Sequence, residues 1–212
     1  MNSIEKTIAR QLLAIKAIQL NVEKPFTWAS GWRSPIYCDN RKTLSYPAIR
    51  KLIYENLAQT VNEHFAEADM IAGVATGAIA HGALVAEYLK KPFVYVRAAP
   101  KAHGLENLIE GYLPDGCRVA VIEDLISTGH SSLTAVNALR KAGADVLGMA
   151  AIFTYEFDLA RRHFEKADCL LYTLCNYAAL IAEARDARYI TDDDLDALRQ
   201  WRENPDQWQT PC

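Results

Sequence analysis

The sequence predicts an α/β fold, a central and mostly parallel sheet with helices on both faces, and two observations carry that expectation. Apolar runs without polar alternation recur at the start of 69–81 and at 92–96, 119–122 and 146–153, as parallel strands buried on both sides require. Two of these runs, within 69–81 and 118–132, pass through turns of small residues into segments with helical periodicity. Strands therefore alternate with helices, an arrangement that places ligands at the carboxyl ends of the strands.

In chain order, residues 4–20 read as one amphipathic helix, because Ile4, Ile8, Leu12, Ile15 and Ile18 recur every three or four positions. Its apolar side is expected to pack on the sheet or on another subunit. The stretch FTWASGWRSPIYCDNR (26–41) has no clear period. Gly31 suggests a turn and Pro35 disfavours a central strand, so the stretch reads as short irregular β structure outside the core. Pro47 opens the next helix, whose apolar positions are Ile49, Leu52, Ile53, Leu57 and Val61. In DMIAGVATGAIAH (69–81) the small run from Gly73 to Gly77 suits either a close backbone approach to an anion or an ordinary tight turn. His81 reads as a helix residue near the interior. Residues 97–111 hold too much Gly and Pro for a settled helix and too little alternation for a good strand, a composition that suits a lid.

The chain is organised around RVAVIEDLISTGHSS (118–132). A buried strand at 119–122, with Leu125 beyond it, runs into Glu123 and Asp124. Unpaired charge is too costly in a core, so both acids are expected to emerge at the carboxyl end of the strand and face a crevice. Small residues follow, with hydroxyls and amides that can wrap an anion, and Leu133, Val136 and Leu139 then mark a helix. Taken alone, the stretch is either an anion site or two strand-end acids before an ordinary helix cap. The lysine of a nucleotide P-loop and the GxGxxG of a dinucleotide fold are both absent here. Further on, a strand at 146–153, a helix through Ala167, a strand at 169–174 and a helix at 177–187 are expected. Thr191 caps the final helix, and its first-turn Asp192, Asp193 and Asp194 are explained by capping and the helix dipole rather than by a metal. Trp201 and Trp208 are assigned to packing or to a subunit contact.

The 212 residues suit one domain, 1–212, carrying a small N-terminal addition. With 23 basic and 26 acidic side chains the formal charge is −3, which supports neither a nucleic-acid nor a bulk membrane partner. Five scattered cysteines, an odd number without metal-ligand spacing, read as reduced thiols of a cytoplasmic protein. No apolar segment is long enough to span a bilayer.

Over nine successive positions, VIEDLISTG resembles the signature of the type I phosphoribosyltransferases, enzymes that use 5-phosphoribosyl 1-diphosphate (PRPP). The resemblance implies that Glu123 and Asp124 lie against the ribose hydroxyls and that the turn holds the 5'-phosphate, drawing in Leu125, Ile126, Ser127, Thr128, Gly129, His130 and Ser131. It implies a pyrophosphate loop at Ala75, Thr76, Gly77 and Ala78. Residues 26–41 resemble the N-terminal hood of the orotate phosphoribosyltransferases, patterned SG+xSPxYxDxR, within a hood of about 20–45. Ser30, Arg33, Ser34, Ile36 and Tyr37 would then cover the orotate ring, Arg33 pairing a carboxylate and Tyr37 offering an aromatic surface. For Arg33 or Tyr37 alone, a surface or packing role stays open. Ala29 stands where some members carry a lysine. Residues 97–111 resemble the flexible catalytic loop VRxxxKxHGxxNxIEG, which in that family reaches a partner's site. Arg97, Lys101 and His103 carry over to it. Ala98 and Ala99 stand where relatives often have one lysine, and Glu106 where glycine is frequent.

The resemblance therefore implies transfer of the phosphoribosyl group from PRPP to orotate, giving orotidine 5'-monophosphate and pyrophosphate in de novo UMP synthesis. Lys101, His103, Arg97 and Asp124 would be the catalytic residues, in a cytoplasmic homodimer with shared active sites. Mg2+ would be held mainly by PRPP, with no direct protein ligand. Two other readings fit the PRPP motif: a purine phosphoribosyltransferase, which leaves SGWRSPIYCDNR and KAHGLENLIEG unexplained, and a PRPP-sensing regulator that binds RNA, against which the acidic balance argues.

Overall fold

The computed structural model describes residues 3–28, 30–98 and 108–208. The chain begins with α1 (Ser3–Ala14), β1 (Ile18–Leu20), β2 (Phe26–Thr27), β3 (Arg33–Ser34), β4 (Ile36–Cys38), a 3₁₀ helix at Asn40–Ser45 and α2 (Pro47–His64). It continues with β5 (Met70–Val74), α3 (Ile79–Leu89), β6 (Phe93–Val96), β7 (Ile109–Glu110), β8 (Arg118–Ile126), α4 (His130–Lys141), β9 (Asp145–Thr154), α5 (Asp158–Lys166) and β10 (Leu171–Asn176). Two helices, α6 (Tyr177–Asp186) and α7 (Asp192–Glu203), follow.

Six strands form the central sheet in the order β10-β9-β8-β5-β6-β7, parallel throughout except for β7, which runs antiparallel along β6. From β5 the chain crosses through α3 to one side; from β8 it crosses through α4 to the other. Crossovers of one hand that travel in opposite directions put their helices on opposite faces, and the reversal falls between β5 and β8. That is where an open α/β sheet leaves a crevice. The two strands flanking it are buried throughout β5 and from Val119 to Glu123 in β8.

Several elements depart from the expectations. The first helix ends at Ala14, because Lys16 takes a left-handed conformation (φ 55°) and the Ala17 amide donates back to the Leu12 carbonyl at 2.9 Å. Ile18 keeps a helical spacing by coincidence and is buried as a strand residue opposite Cys38. The N-terminal β structure is irregular, as expected, but Ser34, Pro35 and Ile36 are buried in it rather than lying outside the core. Strand β7 forms at the end of 97–111, where no good strand was expected, since two residues suffice to extend the edge of β6. Strand β8 does not stop before its acids; it runs through them to Ile126.

Other expectations hold. Pro47 occupies the first turn of α2. Thr191 and Asp194 form a capping box on α7, the Thr191 amide donating to Asp194 Oδ2 at 2.8 Å. Trp201 is fully buried, packed among Trp28, Tyr155, Phe157 and Tyr177. Trp28 also donates from Nε1 to the Ile36 carbonyl at 3.0 Å, so one aromatic cluster pins the N-terminal segment to α7. Four cysteines among the described residues are free thiols; Cys212 lies outside them.

Candidate active site

The site is built where β8 outruns β5. Pairing of β5 with β8 ends at Gly73 opposite Ile122, while β8 continues beside β9 as far as Ile126 opposite Thr154. Successive side chains of a strand point to opposite faces, so neighbouring acids cannot share one environment. Glu123 turns inward: it is 4% exposed, its Oε2 accepts from Ser132 Oγ at 2.8 Å and its Oε1 accepts from the Asp124 amide at 2.9 Å. The expectation that both acids face the crevice is corrected for Glu123. Ser132, in the first turn of α4, supplies the partner that makes its burial tolerable.

Asp124 is half-buried and turned toward the loop after β5. A Cβ built on Gly77 would lie 2.6 Å from Asp124 Oδ1 and closer still to Cγ and Oδ2, so only glycine lets loop and carboxylate touch. Burial raises the pKa of Asp124, opposed by the Glu123 hydrogen bond and the nearby Arg41 cation. Burial and the Asp124 charge push Glu123 well above the usual carboxylate range, opposed by the Asp124 amide and the Ser132 hydroxyl.

Beyond Ile126, Ser127 and Thr128 are half-buried and lead to Gly129, which starts α4 at φ 79°. No side chain caps this helix, which leaves the first-turn amides beside the exposed His130 and Ser131 as donors for an anion. The turn is anchored from α5 by His163 Nδ1, which donates to the Thr128 carbonyl at 2.9 Å. A Cβ on Gly129 would stand 2.9 Å from the Phe164 ring, so glycine answers both the positive φ and the close helix.

The loop after β5 holds an exposed Thr76, a cis peptide between Ala75 and Thr76, and an Ala75 amide that donates to the Val96 carbonyl at 2.8 Å. Arg97 follows β6; its guanidinium pairs with Glu110 of β7 at 3.5 Å. Lys101 and His103 lie outside the described residues, as do Ala29, Ala99 and Glu106. In the hood, Arg33 is exposed on β3, and Tyr37 is 37% exposed on β4 with its ring centroid 5.6 Å from that of Phe26. Ser30 is exposed, whereas Ser34 and Ile36 are buried, the Ser34 hydroxyl donating to the Ile36 carbonyl at 2.8 Å. His81 is fully buried, with Nε2 3.0 Å from Thr43 Oγ1.

Three residues beyond the expected site residues belong to this neighbourhood. Ser132 satisfies Glu123; Asn40 donates from Nδ2 to the Asp124 carbonyl at 2.5 Å; Arg41 stands close enough to bear electrostatically on both Asp124 and Tyr37. Both hood residues lie inside the stretch CDNR, but their partner is 84 positions away from Asn40, a separation no local pattern encodes.

A loop of small residues and an acid facing each other across the sheet's reversal, beside an uncapped helix start, form an α/β crevice with amide donors for an anion on one side and a carboxylate on the other. The family described as "Phosphoribosyl transferase domain" matches residues 42–179. The chain is 55% identical over 208 residues to the orotate phosphoribosyltransferase of Porphyromonas gingivalis, covering 98% of this chain and 99% of that one. Among solved structures, UMP synthase of Leishmania donovani superposes with a TM-score of 0.77 at 28% identity over 93% of this chain, which spans 42% of that longer protein. Orotate phosphoribosyltransferase from Aeropyrum pernix superposes with a TM-score of 0.75 at 26% identity, covering 87% of this chain and 99% of that one. The chain belongs to the orotate phosphoribosyltransferase family.

Proposed function

We propose that the protein transfers the 5-phosphoribosyl group from PRPP to N1 of orotate, releasing pyrophosphate and orotidine 5'-monophosphate for UMP synthesis. The observation that carries this reading is the contact of Gly77 with the Asp124 carboxylate across the crevice, beside the open start of α4. Asp124 accepts from the ribose hydroxyls, with Glu123 behind it on the Asp124 amide. The α4 amides and the hydroxyls of Ser127, Thr128 and Ser131 receive the 5'-phosphate, and the loop at Thr76 and Gly77 receives the pyrophosphate. Tyr37 and Arg33 cover the acceptor ring.

Bond breaking at C1' develops oxocarbenium character while negative charge collects on the leaving pyrophosphate, so the demand is electrostatic and positional. Arg97 and Lys101 neutralise that charge, and His103 donates to the leaving group. A Mg2+ ion would be held mainly by oxygens of PRPP and by water, as suits a hard cation, with Glu123 already engaged by Ser132 and the Asp124 amide and Asp124 left to the ribose hydroxyls. When bound, the ion offsets negative charge on the pyrophosphate. The match of 97–111 to the family's catalytic loop supports a homodimer in which this loop serves the partner's site, and the free thiols support a cytoplasmic setting.

The test is consumption of orotate with PRPP and Mg2+, run beside hypoxanthine and uracil. Orotate is expected to be converted and the other two spared. Conversion of hypoxanthine at a comparable kcat/KM would overturn the substrate assignment.

A further inference from the structure

The overhang of β8 beyond β5 leaves the peptide of Asp124 without β5 as a neighbour, and a polar group unpaired in such a place is costly. That peptide is held from outside the sheet. Asn40, 1% exposed at the start of the 3₁₀ helix, donates from Nδ2 to the Asp124 carbonyl at 2.5 Å and accepts at Oδ1 from Cys38 Sγ at 3.4 Å. The same short helix has a second buried anchor. Thr43 Oγ1 donates to the Asn40 carbonyl at 2.5 Å and meets His81 Nε2, on the helix after the pyrophosphate loop, at 3.0 Å. The helix is therefore fixed at one end to the acid-bearing strand and further along to α3. It begins only three residues after Tyr37 and the hood face.

We infer that Asn40 is a positioning residue: its amide fixes the Asp124 peptide and so sets the carboxylate against Gly77, where it meets the ribose hydroxyls. The inference rests on the reading of Asp124 as the ribose acceptor. It distinguishes Asn40 from Thr43, which lies on the same helix and is equally buried but whose hydroxyl hydrogen-bonds, among the described residues, to His81 of α3 and to the Asn40 carbonyl rather than to β8. It also distinguishes two ligands. PRPP carries the vicinal diol, whereas inorganic pyrophosphate does not.

The experiment measures binding of PRPP and of pyrophosphate, together with thermal midpoints, for wild type, Asn40→Ala, Thr43→Val and Asp124→Asn. Loss of one such hydrogen bond predicts about a tenfold weaker Kd for PRPP in Asn40→Ala, with pyrophosphate held within about twofold. Thr43→Val is expected to lower the midpoint while leaving PRPP binding near wild type. Should Asn40→Ala fail to fold, Asn40→Ser, which loses the same reach with less change in polarity, takes its place. Equal weakening of both ligands, unchanged PRPP binding, or a PRPP defect of the same size in Thr43→Val would each overturn the inference. Asp124→Asn separates the two levels. If it weakens PRPP and Asn40→Ala does not, this inference alone fails; if Asp124→Asn leaves PRPP binding unchanged, the ribose assignment fails and takes the role of Asn40 with it.

Discussion

Gly77 and Asp124 meet across the reversal of the sheet so closely that the glycine has room for no side chain. The neighbour is a carboxylate on a short, rotatable side chain, so an added methyl would displace the acid rather than break the fold. Gly77→Ala should therefore lower kcat/KM for PRPP by roughly 10- to 100-fold, the loss of one or two charge-assisted hydrogen bonds, with a small change in midpoint. Steady-state kinetics beside a melting curve check this; near-normal PRPP kinetics would mean that Asp124 is not working from its observed position.

Glu123 offers a second test, because its carboxylate is buried against Ser132. Its folded pKa is raised by burial above the ordinary 4.5, so the folded protein holds its proton to higher pH than the unfolded chain does. The cost of the buried charge is then present above the folded pKa and relieved as pH falls through it. Glu123→Gln keeps an acceptor for Ser132 and removes the charge. It should be more stable than wild type toward urea at pH 8, with the difference shrinking as pH falls; a gain independent of pH would exclude the linkage.

How legible the molecule was depends on the range of the interaction concerned. The capping box of Thr191 and Asp194 was readable because cap and acceptor sit three residues apart. The strand, turn and helix around 118–132 were readable for the same reason, as was Pro47. What failed was a matter of direction and distance. Glu123 and Asp124 look equivalent in sequence, yet strand alternation sends one toward α4 and the other toward Gly77. A buried Glu123 demands a donor, and Ser132 stood nine residues on, inside the motif; asking where that donor lay would have found it. Ile18 fitted a helical period while belonging to a strand, because burial, not helicity, was the property it shared with Ile8 and Leu12. Asn40 had no local signal at all, since its bond is a consequence of where β5 ends.

His81 carries the opposite pH signature to Glu123. Burial, aided by the Arg50 charge, lowers its pKa from the ordinary 6.5 to about 4. Between these values the unfolded chain binds a proton that the folded protein refuses, so stability is full above the unfolded pKa and falls as pH drops toward 4. The loss between pH 7.5 and 5 should be on the order of 2 kcal/mol. His81→Gln removes this slope. Urea midpoints of the two proteins at both pH values decide the matter: parallel losses would show that His81 titrates normally.

The last prediction concerns assembly, and it follows from the loop at 97–111 together with Asp124. With Ala98 and Ala99 supplying no lysine beside Arg97, the proposed mechanism assigns charge stabilisation of the leaving pyrophosphate to Arg97 and Lys101. Arg97 is already paired with Glu110, which shifts more of that burden to Lys101. Lys101→Ala should then lower kcat by about 100-fold or more, as loss of a transition-state contact worth about 2.7–4 kcal/mol requires, with a smaller effect on PRPP binding. Asp124→Asn damages the site from the other side. If the loop of one subunit serves the other's site, mixing the two variants yields a heterodimer with one site carrying both lesions and one carrying neither, so activity returns on mixing two nearly inactive proteins. If each loop serves its own subunit, every site keeps a lesion and mixing restores nothing. Subunit exchange is verified by mass measurement beforehand; exchange without recovered activity would defeat the shared-site arrangement while leaving the orotate assignment in place.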